Sequence, residues 1–203
     1  MIAIIDYDVG NLYNLKNALD FQGIANRIVR EPGELEGADH IVLPGVGAFR
    51  PAMERLQAAG MVPVVRARIA AGVPFLGICI GLQLLFEVSE EGGEHAGLGL
   101  IPGRIVRFPA GGLKVPQIGW NQVAFQRDDP LLADIPDHSY FYFVHSYHAT
   151  LADPAHALGL TEYGETFPAI VRRGNVWGVQ FHPEKSQNAG LRLLKNFAAI
   201  LPA

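Results

Sequence analysis

The stretch Pro74-Phe75-Leu76-Gly77-Ile78-Cys79-Ile80-Gly81-Leu82-Gln83 constrains this chain more than any other. Val73 to Ile78 is a short apolar run with Gly72 and Pro74 on one side and Gly77 and Gly81 on the other. Leu82, Leu84, Leu85 and Phe86 follow without a turn signal. The pattern predicts a buried strand, an abrupt corner at Cys79, then a helix. A corner residue of this kind is strained, and bulk two residues to either side would collide with the neighbouring strand and helix. Gly77-x-Cys79-x-Gly81 meets both needs and is the nucleophile-elbow pattern with sulfur in place of oxygen. Free N–H groups and the dipole at the start of the helix favour a thiolate there. Cys79 is also the only cysteine of the chain, and a lone cysteine is commonly a buried structural residue. The elbow by itself does not separate the two.

The surrounding pattern is one of alternating strands and helices. Ile2 to Ile5 reads as a buried strand, followed by a turn at Asp6-Tyr7-Asp8-Val9-Gly10. Asn11 can cap a helix in which Leu12, Leu15 and Leu19 share a face. Ile24 to Val29 and Ile41 to Leu43 read as further strands, and Phe49 to Ala71 as a helix broken at Gly60 and Pro63. This predicts a parallel sheet with helices on both faces. From Gly92 onward, closely spaced Gly and Pro residues punctuate short runs such as Arg104 to Phe108, which predicts antiparallel strands. Tyr140 to Tyr147 reads as one aromatic strand. Phe167 to Arg172 and Asn175 to Phe181 read as a pair turning at Arg173-Gly174-Asn175. A last helix runs from Ala189 to Leu201, with Leu191, Leu194, Ala198 and Leu201 on one face. The expected fold class is α/β: an open, mostly parallel, flavodoxin-like sheet flanked by helices, with an added antiparallel sheet from the second half. No linker or repeat divides the chain, so residues 1–203 are expected to form a single domain.

Bulk properties remove several function classes. A net charge of −4 argues against a general nucleic-acid binder. One cysteine leaves no internal disulfide, so nothing points to secretion. Met1-Ile2-Ala3-Ile4-Ile5 is too short and too poor in basic residues for a signal peptide, and no run has the length to cross a bilayer. A cytoplasmic location is expected.

Cys79 needs a base and an orienting group to act as a nucleophile. His182 lies just past the apolar run Val176-Trp177-Gly178-Val179-Gln180-Phe181, where strand ends of an open parallel sheet bind ligands. Glu184 follows two residues on. In an extended stretch the two side chains point the same way, so Glu184 can hold the imidazole. His-x-Glu alone also fits a solvated turn. Pro44-Gly45-Val46-Gly47 lies past another strand end. Its glycines fit a tight turn, or an N–H turned toward a ligand that, with the N–H of Ile80, makes an oxyanion hole. The Gly-x-Gly here is not a dinucleotide fingerprint, since Arg50 stands where the third glycine belongs. His145-x-x-His148 is not expected to bind metal, because in a strand these side chains point to opposite faces and no third ligand is placed.

Gly77-Ile78-Cys79-Ile80-Gly81-Leu82-Gln83 together with Phe181-His182-Pro183-Glu184 resembles the triad class of glutamine amidotransferases. Five further segments sharpen the likeness: Gly10-Asn11-Leu12, Pro44-Gly45-Val46-Gly47-Ala48-Phe49, Pro116-Gln117-Ile118-Gly119-Trp120-Asn121, Tyr142-Phe143-Val144-His145-Ser146-Tyr147, and Gln180 to Ser186. They are similar to the glutaminase subunits of imidazole glycerol phosphate synthases over nearly the whole chain. Ile80 stands where leucine is common in that family, and His148 where an aromatic is more usual.

The resemblance implies a Cys79–His182–Glu184 triad, with the N–H groups of Val46 and Ile80 as oxyanion hole. It implies that Gly47, Gln83, Glu91, His145, Ser146 and Tyr147 bind L-glutamine, Glu91 pairing with its ammonium group. A solvated Glu90-Glu91 pair competes with that last role. It implies a (β/α)8-barrel cyclase as partner in a heterodimer, with Asn11, Trp120, Tyr142 and Lys185 at the interface or ammonia gate. Core packing competes for Trp120, and a plain surface charge for Lys185. Neither cofactor nor metal is implied. Glutamine would be hydrolysed and its ammonia used by the cyclase to make imidazole glycerol phosphate and an aminoimidazole carboxamide ribonucleotide. Alternatives are the glutaminase of pyridoxal phosphate or anthranilate synthesis, a non-catalytic regulatory module of the same fold, and a cysteine-type α/β-hydrolase. The last would place its acid before the histidine in the chain, whereas Glu184 follows His182.

Overall fold

The computed structural model describes residues 1–10, 12–109 and 111–202. Its first half is the expected alternation: β1 (Ile2–Ile5), α1 (Leu12–Phe21), β2 (Asn26–Val29), β3 (His40–Leu43), α2 (Phe49–Ala58), α3 (Met61–Ala70), β4 (Phe75–Ile78) and α4 (Ile80–Leu84). Then follow β5 (Phe86–Ser89), β6 (His95–Ala96), β7 (Ile101–Arg107), β8 (Gln117–Phe125), β9 (Ser139–His145), β10 (Tyr147–Leu151), β11 (Ala157–Glu162), β12 (Thr166–Arg173), β13 (Val176–Val179) and α5 (Gln187–Ala199). Among the described residues, one sheet has nine strands in the order β2-β1-β3-β4-β13-β12-β11-β8-β9, and a second has the order β10-β7-β5-β6. Strands β2 to β13 of the large sheet run parallel, and the other four extend it antiparallel.

The alternation of side chains across β1 and β4 divides the core in two. Ile2, Ile4, Leu76 and Ile78 face a layer containing Leu12, Leu15 and Leu19 of α1 and Leu193, Leu194 and Phe197 of α5. Ala3, Ile5 and Phe75 face the layer of α2 and α3, with Phe49, Leu56, Met61 and Val65. Burial on both faces explains why these strands read as continuous apolar runs.

Several local expectations are corrected. Gly60, at a left-handed φ of 67°, does separate α2 from α3. Pro63 does not break the helix. It sits in the first turn of α3, where a missing N–H leaves no bond unmade. The helix after Cys79 is only five residues long, because Phe86 leaves it to pair with Ile101 of the second sheet. Tyr140 to Tyr147 is not one strand: the chain breaks at Ser146 and passes from the large sheet into the small one. The small sheet is mixed, β7 pairing parallel with β5 and antiparallel with β10. The buried face of α5 is formed by Gly190, Leu193, Leu194 and Phe197, and Leu201 lies beyond it, 84% exposed. Asn11 lies outside the described residues. No described helix is long and apolar enough to cross a membrane.

Strand β4 is central, its Leu76 opposite Val42 of β3 on one side and Trp177 of β13 on the other. The glycines around the corner are there for lack of room. A Cβ on Gly81 would lie 1.8 Å from the Leu43 carbonyl oxygen, and one on Gly77 2.5 Å from that of Gly81. Gly81→Ala is therefore expected to cost about 2–4 kcal/mol or prevent folding, since main chain has to move to admit the methyl group. Gly33→Ala, with open space around its Cβ, is the control. Urea unfolding of both variants checks this, and equal stabilities would refute the steric account.

Candidate active site

Cys79 turns the corner with φ 56° and ψ −109°, a strained conformation for a residue with a Cβ. Its own N–H is held by the Val179 carbonyl at 2.8 Å, so both β4 and β13 fix the bend. The corner presents the thiol to a cleft of about 360 Å³ at the C-terminal end of the parallel strands. Cys79 and His182 line this cleft together with Val46, Gly47 and Ile80. Ile80 is the first residue of α4, so its N–H has no acceptor within the helix.

His182 closes the cleft from the other side. Its Nδ1 lies 2.8 Å from Glu184 Oε1. The reason is not the extended backbone anticipated from the sequence. Pro183–Lys185 is a turn of 3-10 helix with His182 as its N-cap, and this turn swings Glu184 beneath the ring. The remaining ring nitrogen, Nε2, is buried with no hydrogen-bond partner among the described residues, and it shares the cleft with the Cys79 thiol. Burial opposes a charge on His182. Interaction with Cys79 and with Glu184 outweighs burial and raises its pKa to about 10.

The loop that carries His182 is stapled to β9. Tyr142 accepts a bond from the His182 N–H at 2.9 Å and donates its own N–H to Ser186 Oγ at 3.0 Å. Ser186 Oγ in turn donates to the His182 carbonyl at 2.6 Å. Phe181, just before, stacks on Phe141 with ring centroids 4.0 Å apart.

The six residues expected to hold glutamine, Gly47, Gln83, Glu91, His145, Ser146 and Tyr147, all line the same cleft. Glu91 accepts the Phe49 N–H at the start of α2, at 2.7 Å, which ties its carboxylate to the cleft wall. Its neighbour Glu90 behaves differently and pairs with Arg104 on the surface. Gln83 donates to the Tyr147 carbonyl at 3.0 Å and to Gln180 Oε1 at 3.2 Å.

His145 and His148 do not point to opposite faces. The break at Ser146 interrupts the alternation, and both rings pack against Phe108 and Phe167. Burial, with the nearby His148 and His182 adding to it, pushes the His145 pKa down to about 4 against the bond to the Tyr147 carbonyl. His145 Nδ1 lies 2.8 Å from that carbonyl and Nε2 2.9 Å from Gln117 Oε1, two acceptors that flank the ring.

Trp120, Tyr142 and Lys185 come together on the outer surface beside the cleft. The Trp120 and Tyr142 rings meet edge to face at 6.0 Å, and Lys185 Nζ lies 5.8 Å from the Tyr142 ring. Trp120 is not a core residue, being 46% exposed, and Ile118 and Tyr140 are exposed on the same two strands.

Two buried side chains near the cleft had no role assigned from sequence. Tyr7 donates its hydroxyl to the Pro44 carbonyl at 2.9 Å, directly behind Gly45. A Cβ on Gly45 would lie 2.4 Å from that hydroxyl, so the glycine is a matter of space. Burial first, and the charge of Cys79 second, push the Tyr7 pKa up. Gln180 is the other, its Nε2 placed 3.9 Å from Cys79 Sγ. An amide closing an otherwise apolar strand was the signal available for it.

Comparison with known proteins supplies the lineage. The sequence matches the glutamine amidotransferase class-I family over residues 3–201. It is 52% identical over 200 residues to the imidazole glycerol phosphate synthase subunit HisH of Moorella thermoacetica, covering 98% of this chain and 95% of that one. The subunit of the same name from Symbiobacterium thermophilum is 49% identical over 98% of this chain and 94% of its own length. In fold, the chain resembles a crystal structure described as a glutamine amidotransferase, with a TM-score of 0.77, 21% identity and coverage of 98% and 100% of the two chains. It also resembles PurLQS from Thermotoga maritima, with a TM-score of 0.75, 17% identity and coverage of 97% and 96%. A match along almost its whole length, with relatives sharing half its residues, means that the chain belongs to the class-I glutamine amidotransferase family.

Proposed function

We propose that this protein is the glutaminase subunit of imidazole glycerol phosphate synthase, acting as a single domain. It hydrolyses L-glutamine to glutamate and delivers the ammonia to a cyclase partner in histidine biosynthesis. The name carried by relatives at half identity supports the pathway. The observation that carries the chemistry is the meeting of a thiol at a strained corner with a carboxylate-held imidazole in one cleft.

The geometry fits an acyl-transfer sequence. His182 takes the proton of Cys79 Sγ, and the sulfur attacks the side-chain amide carbon of glutamine. The amide oxygen takes up the electron pair and is held by the N–H groups of Val46 and Ile80. His182 returns its proton to the departing nitrogen, which leaves as ammonia and a thioester on Cys79. His182 then deprotonates a water that attacks the thioester, giving glutamate and the free thiol. Glu184 keeps the imidazole in one orientation and stabilises its charged form throughout. Gln83, Glu91 and the segment His145 to Tyr147 seat the substrate, the Glu91 carboxylate facing its ammonium group.

Ammonia set free in bulk water becomes ammonium, which is no nucleophile, so a sealed route to the second site is needed. We infer a (β/α)8-barrel cyclase seated on the patch of Trp120, Tyr142 and Lys185. That patch is hydrogen-bonded to the His182 loop through Tyr142, which gives docking a direct mechanical hold on the triad.

The decisive experiment uses the reconstituted complex. Cys79→Ala is expected to abolish glutamine-dependent synthesis and to leave ammonia-dependent synthesis intact. Retained glutamine-dependent turnover would end the proposal. Glutaminase activity of the chain alone is expected to be low and to rise when the cyclase and its ligand are added. Trp120→Ala should weaken assembly by roughly 30-fold, as expected for a buried aromatic anchor worth about 2 kcal/mol. Titration calorimetry reads that change, and unaltered affinity would place the interface elsewhere.

The proton affinity of His182 gives a further check. Its pKa rises from 6.5 to about 10 on folding. The stability it contributes is therefore fully present below about 6.5 and is lost as the pH rises through about 10. In Cys79→Ala burial acts against Glu184 alone, so the His182 midpoint should fall, as followed by NMR of the ring protons. An unchanged midpoint would show that the sulfur does not share the imidazole proton.

A further inference from the structure

Gln180 follows β13 and is fully buried, 0% exposed. A buried amide is costly unless both its ends are hydrogen-bonded. Here one end meets another amide and the other meets the sulfur. We propose that Gln180 is the positioning residue of the Cys79 sulfur, donating to it an N–H whose direction is set by Gln83. The inference rests on Cys79 being the nucleophile, as proposed above.

The direction of every bond in the chain follows from a main-chain carbonyl. Tyr147 O can only accept, so the group of Gln83 that faces it at 3.0 Å must be the NH2. The same NH2 faces Gln180 at 3.2 Å, so Gln180 presents its oxygen there. The Gln180 NH2 is then left to face Cys79 Sγ, at 3.9 Å. Turning Gln83 over would set oxygen against oxygen, and turning Gln180 over would set NH2 against NH2 and an oxygen against the sulfur. A donor held against sulfur favours the thiolate over the thiol and stops the side chain from swinging within the cleft. Gln83 Oε1, the remaining end of the relay, is buried without a partner among the described residues, and Gln83 lines the cleft. A substrate N–H that engages this oxygen polarises both amides in the sense that strengthens the bond to sulfur.

The test uses the full chain with its cyclase and two substitutions of similar volume. Gln180→Leu removes the donor. Gln180→Glu keeps an acceptor for Gln83 and sets an oxygen against the sulfur. In Gln180→Leu the pH profile of Cys79 alkylation by iodoacetamide should move upward by about one pH unit, a roughly tenfold loss of reactivity near neutrality. Gln180→Glu should move it further in the same direction. In both variants kcat for glutamine should fall roughly tenfold or more while KM stays within about twofold. An unmoved profile in either variant with a native circular dichroism spectrum overturns the assignment.

A second measurement leaves Gln180 in place and does not depend on how the variants fold. The NMR shift of the Gln180 side-chain amide protons should follow Cys79 ionisation and lose that response in Cys79→Ala. The same titration in both chains overturns the proposal. Failure here is distinct from failure of the proposed function, because alkylation and amide shifts are read without glutamine turnover.

Discussion

The backbone at Cys79, held at φ 56°, is the constraint on which the rest of the cleft depends. Such a conformation costs on the order of 1–3 kcal/mol and persists only where the surroundings overdetermine it. Here they do. Gly77 and Gly81 let strand, helix and the Leu43 carbonyl approach within distances that no Cβ would tolerate. Strands β3 and β13 flank β4 on both sides, and the Val179 carbonyl holds the Cys79 N–H. The stability of a central parallel strand is thereby converted into the placement of one sulfur atom at the wall of the cleft.

The proposed base reaches that sulfur by a different device. Strand β13 lies beside β4, so a residue just past its end falls at the same rim. The 3-10 turn at Pro183 then brings Glu184 back beneath the imidazole, and Ser186 and Tyr142 hold the turn against β9. The exposed face of β8 and β9 is thus hydrogen-bonded to the loop that carries His182. A partner seated on Trp120 and Tyr142, as proposed above, would have a path of bonded groups to His182.

Much of this was legible in the chain. The glycines at 77 and 81, the apolar runs of β1, β3 and β4, and the leucine face of α1 each state their role through local sterics and periodicity. The pairing of His182 with Glu184 was also legible, although the backbone reason was different. What could not be read were the places where the pattern is silent. Tyr140 to Tyr147 is apolar and aromatic throughout, so periodicity has no way to mark the break at Ser146. That break turns His145 and His148 onto the same aromatic cluster. The five-residue length of α4 was hidden in the same way, because Leu84, Leu85 and Phe86 are buried on every side.

The amino-acid sequence by itself determined the elbow, the chain order of thiol, imidazole and carboxylate, and the parallel half of the sheet, because each is written in steric and periodic signals a few residues long. Only the tertiary structure decided that the antiparallel strands extend the same sheet, that Glu91 rather than Glu90 faces the cleft, and that Gln180 meets the sulfur. Those outcomes turn on contacts between segments far apart along the chain. The direction of an amide or the exposure of a carboxylate is set by the partner that arrives from elsewhere, and no local pattern encodes that arrival.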